Sequence, residues 1–196
     1  MFESHITITG FADSSFQSLC RNIGVKPVII TDDTGSSLRQ LMTAKFHKTN
    51  NFEEAKNEMF QIASYFSKHV IRHKLEKIVG KHSQIPPHKY LEFHSKYEIP
   101  YNQISEFTDI VIKSGGHTSQ NILKINPNNQ KTFRFATARN IGVYQKMTQN
   151  LHKYQRINSI MECVVYDDNP YIDKNWHGCD SCQLKSMPAF LTKLIE

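Results

Sequence analysis

The chain has 196 residues, 39% of them hydrophobic and 11% aromatic, and 24 Lys+Arg against 18 Asp+Glu leave a formal net charge of +6. This is the composition of a folded globular protein, which excludes a disordered or fibrous chain, and the basic excess favours anionic partners. The longest apolar runs, such as Val28-Ile29-Ile30, are far too short to span a bilayer, and Met1-Phe2-Glu3-Ser4-His5 lacks the build of a signal peptide, so a soluble cytoplasmic protein with no membrane partner is expected.

Taken in chain order, His5-Ile6-Thr7-Ile8 alternates and predicts a strand with Ile6 and Ile8 on one face and His5 and Thr7 on the other. Phe16, Leu19, Cys20 and Ile23 predict a helix that Gly24 stops. Leu41-Met42-Thr43-Ala44-Lys45 reads as a Thr-containing strand. A longer helix follows, with Asn51 as cap, Glu53 and Glu54 in its first turn, and Phe52, Ala55, Met59, Ile62, Ala63 and Phe66 as its apolar stripe. The next strand, Ile71 to Glu76, puts Arg72, Lys74 and Glu76 on one face. Gly80 to Lys89, with Pro86-Pro87, reads as a linker. Beyond it, Leu91 to Lys96 aligns Glu92, His94 and Lys96, and Phe133 to Arg139 places Thr137 and Arg139 together. A helix from about Asn140 to Tyr154 carries Tyr144, Met147 and Leu151, a strand through Met161, Cys163 and Val165 opposes Glu162, and Ser186 with Pro188 opens a last short helix.

The order polar-faced strand, Thr-containing strand, helix and closing strand thus occurs twice. The expected fold class is α+β, as two pseudo-related lobes spanning residues 1–80 and 89–196 of one compact unit. Each lobe would be a mainly antiparallel sheet with helices on its outer face and a polar concave inner face. Such polar faces are commonly the solvated side of a sheet. Here they offer His or Arg beside hydroxyls or counter-charges, which is the make-up of an anion site. Arg72, Lys74 and Arg139 are candidate anion contacts, with cross-strand pairing to Glu76 or Glu92 as the alternative.

Four cysteines do not make a disulfide scaffold at this length, and free thiols are expected. Cys179 and Cys182 form a CxxC beside His177, but no second CxxC completes a zinc site, and Asp167, Asp168 and Asp173 lack EF-hand spacing. Neither a Walker loop nor a Gly-x-Gly-x-x-Gly pattern is present. No metal or other cofactor is expected.

His5-Ile6-Thr7-Ile8 resembles the His-apolar-Thr-apolar motif of the two-histidine phosphoesterase superfamily, which includes the RNA ligase-like cyclic phosphodiesterases. The resemblance implies a bilobal fold and metal-independent hydrolysis of a cyclic nucleotide or RNA-type phosphodiester. One histidine would act as base and the other as acid, with hydroxyls holding the phosphoryl oxygens. The second motif departs from the pattern. His117-Thr118-Ser119-Gln120 has the spacing but not the apolar positions and follows Gly115-Gly116 like a loop, while His94-Ser95-Lys96 fits the internal echo but carries Lys96 where a hydroxyl belongs. The catalytic candidates are therefore His5, Thr7, His94, His117 and Ser119. Lys96, Arg72, Lys74, Thr137, Arg139 and Glu92 are the substrate-binding candidates, and a phosphate ester, nucleotide or RNA end is the expected partner. Alternatives are a phosphohydrolase resembling triphosphate tunnel proteins, whose walls alternate charges as Arg72 to Glu76 do, and a non-catalytic phosphate- or nucleic-acid-binding module.

Overall fold

A computed structural model of the chain describes residues 1–32, 39–79, 85–124, 126 and 130–173. The elements run β1 (Phe2–Ile8), α1 (Asp13–Asn22), β2 (Lys26–Asp32), β3 (Arg39–His47), α2 (Phe52–Ser64) and β4 (Val70–Ile78), and then β5 (Tyr90–Pro100), α3 (Ile104–Lys113), β6 (His117–Asn121), β7 (Lys131–Ala138), α4 (Ile141–Asn150) and β8 (Gln155–Asp167). The strands close into one antiparallel barrel in the order β1-β3-β2-β6-β7-β5-β8-β4. No helix among the described residues is long and apolar enough to cross a membrane.

This closure corrects the expected fold class of two lobes. β2 pairs with β6 through Ile30↔Asn121 and Thr31↔Gln120, and β4 pairs with β8 through Lys77↔Cys163 and Glu76↔Val164. Both outer strands of the first half are thereby bonded to the second, because pairing is the direct way to satisfy an edge strand's free N–H and C=O groups. Two sheets facing each other across a cleft are replaced by one wall around one lumen.

Period-2 alternation assigns the two sides of that wall. Ile6, Ile8, Leu41 and Leu75 point outward into a cluster with Phe16, Cys20, Met59 and Phe66 of the first two helices and the residues after them. On the other half, Leu91, Phe93, Met161 and Cys163 meet Phe107 and Val111 of α3 and Tyr144 and Met147 of α4. The apolar core therefore lies between barrel and helices, and the strands' charged side chains turn into the lumen beside a smaller apolar set. His47 sits on the helix side, bonded to Glu58 at 2.6 Å and to the Ser4 hydroxyl at 2.8 Å, so it fastens α2 to the barrel.

Asn51 caps α2 as its sequence predicts: its Oδ1 accepts from the amides of Glu53 at 3.0 Å and Glu54 at 3.3 Å. Asn51→Ala is expected to cost about 1 kcal/mol in urea denaturation. Asn140 holds the start of α4 in the same way. α3 is unanticipated, although Ile104, Phe107, Thr108 and Val111 carry helical spacing. His117 to Gln120 is strand β6 where a loop was expected, paired with both β2 and β7. The CxxC of Cys179 and Cys182, with His177 and the helix expected from Ser186, lies outside the described residues.

Candidate functional site

The lumen holds a cavity of about 270 Å³, and every strand of the barrel contributes to its lining. Its floor is built from two similar sets. In β1 the sequence Glu3-Ser4-His5 turns Glu3 and His5 inward, and Glu76 lies directly across on β4. In β5, Glu92-Phe93-His94 turns Glu92 and His94 inward, and Glu162 lies directly across on β8. Each half thus supplies a Glu-x-His strand and one facing glutamate, at matching register.

The imidazoles are held alike. His5 Nε2 lies 3.0 Å from Glu76 Oε2, with Nδ1 3.1 Å from the Thr43 carbonyl. His94 Nε2 lies 3.2 Å from Glu92 Oε2 and 3.1 Å from Glu162 Oε2, with Nδ1 2.9 Å from Thr137 Oγ1. Lys74 joins the sets: its Nζ is 2.8 Å from Glu92 Oε2 and 2.6 Å from Glu76 Oε1, the latter an ion-pair contact without hydrogen-bond geometry.

The charges follow from these contacts. Burial works against a charged His94, but its hydrogen bonds to Glu162 and Glu92 outweigh that and push its pKa up to about 10. His5 moves the same way: the charge and hydrogen bond of Glu76 overcome desolvation. Burial raises Glu76, yet Lys74 and His5 hold it down at about 2, and Glu92 is kept well below the usual carboxylate range against its own burial, chiefly by Lys74. Burial lifts Glu3 above its ordinary value. At neutral pH the floor therefore sets the Glu76 and Glu92 carboxylates against the His94 imidazolium and the Lys74 ammonium.

A second network borders it. Arg72 donates through Nε to Asp167 Oδ1 at 3.0 Å and through Nη2 to Asp167 Oδ2 at 2.6 Å, and its Nη1 reaches Asp173 at 2.8 Å. Arg139 donates to Glu92 Oε1 at 3.0 and 2.8 Å and to Asp173 at 2.7 Å, with its guanidinium 4.3 Å from the centre of the Tyr90 ring. The Tyr90 hydroxyl bonds Asp167.

Of the residues expected at the site, His5, Thr7, His94, His117, Ser119, Arg72, Lys74, Thr137 and Glu92 all line this one cavity. Arg139 stands behind Glu92 rather than in the lining. Lys96 is not in the lining, and its Nζ rests 3.5 Å over the Phe133 ring. Thr7 Oγ1 is fully buried and has no hydrogen-bond partner among the described residues. Sequence reasoning missed Glu3, offered Glu76 only as a counter-charge and noted Glu162 only as opposing an apolar strand face, although the repeated Glu-x-His was visible. Chemically, the floor can bind a polar group, exchange a proton with it, or hold an ion: Glu92, His94 and Glu162 bring donor atoms within 4.8 Å of one another.

No protein-family model matches the chain. No curated protein sequence matches it either. Among solved structures, the chain has a TM-score of 0.29 with a putative monooxygenase from Lactobacillus acidophilus, at 10% identity over 84% of this chain and 92% of that one. For the acetolactate synthase small subunit of Thermotoga maritima the values are 0.30, 11%, 84% and 94%. For a mutant chlorite dismutase from Candidatus Nitrospira defluvii they are 0.29, 6%, 89% and 93%. One closed barrel in place of two lobes corrects the two-histidine phosphoesterase resemblance, together with the phosphodiesterase function it implied and the triphosphatase and phosphate-module alternatives. The physical reason lies in the lumen. Arg72, Lys74 and Arg139, expected to receive phosphoryl oxygens, are neutralised by Asp167, Asp173, Glu76 and Glu92, and both imidazole Nε2 atoms already face carboxylates. A phosphodiester placed there would meet Glu76, Glu92 and Glu162 as like charges.

Proposed function

We propose that the protein is a small-molecule-binding barrel whose lumen takes an amphiphilic ligand: a hydrogen-bonding head on the Glu/His/Lys floor and an apolar portion against the apolar side chains of the lining. The observation that carries this reading is one cavity that joins a charged floor to apolar lining. Val28, Ile30, Met42, Ala44, Phe135 and Ile160 line it beside the charged floor. Pockets for small organic ligands have this make-up, with apolar area for affinity and a few placed polar groups for orientation. A cytoplasmic setting fits the buried free thiols of Cys20 and Cys163.

The test uses a panel of small alcohols, carboxylic acids and amines with an apolar portion, plus a mononucleotide as the phosphate-ester arm, screened by ligand-observed NMR. Ala44 faces the lumen and is 8% exposed, so Ala44→Trp fills the cavity from β3, beside His5, its partner on β1. Amphiphilic members are expected to bind the wild type and to lose at least tenfold in affinity with Ala44→Trp, verified as folded by circular dichroism. A panel without a binder, or binding that Ala44→Trp leaves unchanged, overturns the reading.

A further inference from the structure

The geometry points to a divalent transition-metal site at one end of the lumen floor, formed by Glu92 Oε2, His94 Nε2 and Glu162 Oε2. It concerns the same cavity but does not require that an organic ligand bind there.

The first argument is distance. Metal–ligand bonds of about 2.0–2.2 Å that meet at roughly 90–110° set neighbouring donor atoms about 2.8–3.6 Å apart. His94 Nε2 is 3.2 Å from the Glu92 oxygen and 3.1 Å from the Glu162 oxygen, both inside that window, while the carboxylates, with the set within 4.8 Å, must draw together on the ion as it binds. An ion seated between them would have three protein ligands from two adjacent strands and its remaining positions toward the cavity.

The second argument is orientation. A ligating imidazole is held by a hydrogen bond from its other nitrogen, and His94 Nδ1 lies 2.9 Å from Thr137 Oγ1, so Nε2 takes the ion in exchange for its proton, which is released to solvent. Glu92 is steadied at its other oxygen, Oε1, by Arg139 at 2.8 Å. The pieces that normally surround a metal site are therefore present behind two of the three ligands.

The third argument is contrast with the related half. There His5 Nε2 is 3.0 Å from Glu76 but 3.9 Å from Glu3, and Lys74 Nζ approaches Glu76 Oε1 at 2.6 Å. The ammonium occupies the place of a cation on that side. It also touches Glu92 Oε2, at 2.8 Å, and it can stay with Glu76 when an ion takes its place at Glu92. One imidazole and two carboxylates suit Zn²⁺, Co²⁺ or Mn²⁺ better than a cation that demands oxygen ligands throughout.

The test is titration of the full chain, previously stripped with chelator, with CoCl2, followed by visible absorption and calorimetry without organic ligand. One saturable Co²⁺ per chain with d–d bands of a four- or five-coordinate ion is expected, with Zn²⁺ displacing it. Glu162→Gln and His94→Gln should weaken binding at least tenfold, and Thr137→Val, which removes only the tether, by about 10–100-fold. His152→Gln, at an exposed position after α4, and Cys179→Ser and Cys182→Ser should leave it unchanged. If either floor variant fails to fold, Thr137→Val decides. Absence of saturable binding, binding indifferent to these floor variants, or binding lost with the cysteine variants overturns the site. The Ala44→Trp result on organic ligands is independent of all of these.

Discussion

Arg72→Ala is expected to destabilise the protein by about 3–5 kcal/mol, more than any other single substitution in the lumen. Arg72 is 3% exposed, and its fork grips both oxygens of Asp167, itself 1% exposed, while also holding Asp173. Removing the guanidinium strands a buried carboxylate with, among the described residues, only Tyr90 and the Asn169 amide as donors. The penalty is mainly that of the uncompensated charge rather than the worth of the pair. The double variant Arg72→Met with Asp167→Leu should therefore recover much of the loss, and Arg72→Lys, which cannot reproduce the fork, should not. Urea denaturation measures all three. A loss below about 1 kcal/mol for Arg72→Ala would mean that Asp167 is solvated, as an exposed pair would be.

The second large effect is a decline of stability with alkali. His94 is charged far beyond its ordinary range because Glu92 on its own strand and Glu162 on β8 face its Nε2, with Lys74 on β4 beside Glu92 and Thr137 on β7 at Nδ1. Its folded-state pKa of about 10 stands above the ordinary 6.5. The stability it contributes is thus complete below about pH 6.5 and is lost as the pH rises through about 10. Glu76 behaves oppositely: its pKa of about 2 stands below 4.5, so its contribution is complete above pH 4.5 and is lost as the pH falls through 2. The melting temperature should peak between about pH 4.5 and 6.5 and fall steadily toward pH 10. His94→Gln should flatten the alkaline limb and leave the acid limb in place. A variant that keeps the wild-type alkaline decline would assign it elsewhere.

Much of the wall was legible because strands reveal their two faces locally. Ile6 and Ile8 against His5 and Thr7, or Leu91 and Phe93 against Glu92 and His94, need only a period of two. The cap and stripe of α2 and the stripe of α4 were equally local. Barrel closure was not, since the pairing of Ile30 with Asn121 or Lys77 with Cys163 joins residues far apart in the chain, and no short window contains it. The anion reading failed for the same reason. His5 and His94 look like free bases in their own strands, and only strand register brings Glu76 and Glu162 across from Glu3 and Glu92 and beside the imidazoles. Lys96 shares a strand face with His94 in sequence, yet its stem carries the ammonium to Phe133, a choice that periodicity does not encode.

The central claim is that two distant histidines serve one small-molecule cavity. The most direct measurement is imidazole NMR of histidine-labelled protein during titration with the tightest amphiphilic binder from the panel. The account predicts that the His5 and His94 resonances shift together along one saturation curve, while that of the exposed His152 stays still. Shifts confined to His152 or other surface histidines, with His5 and His94 silent at saturation, would contradict it.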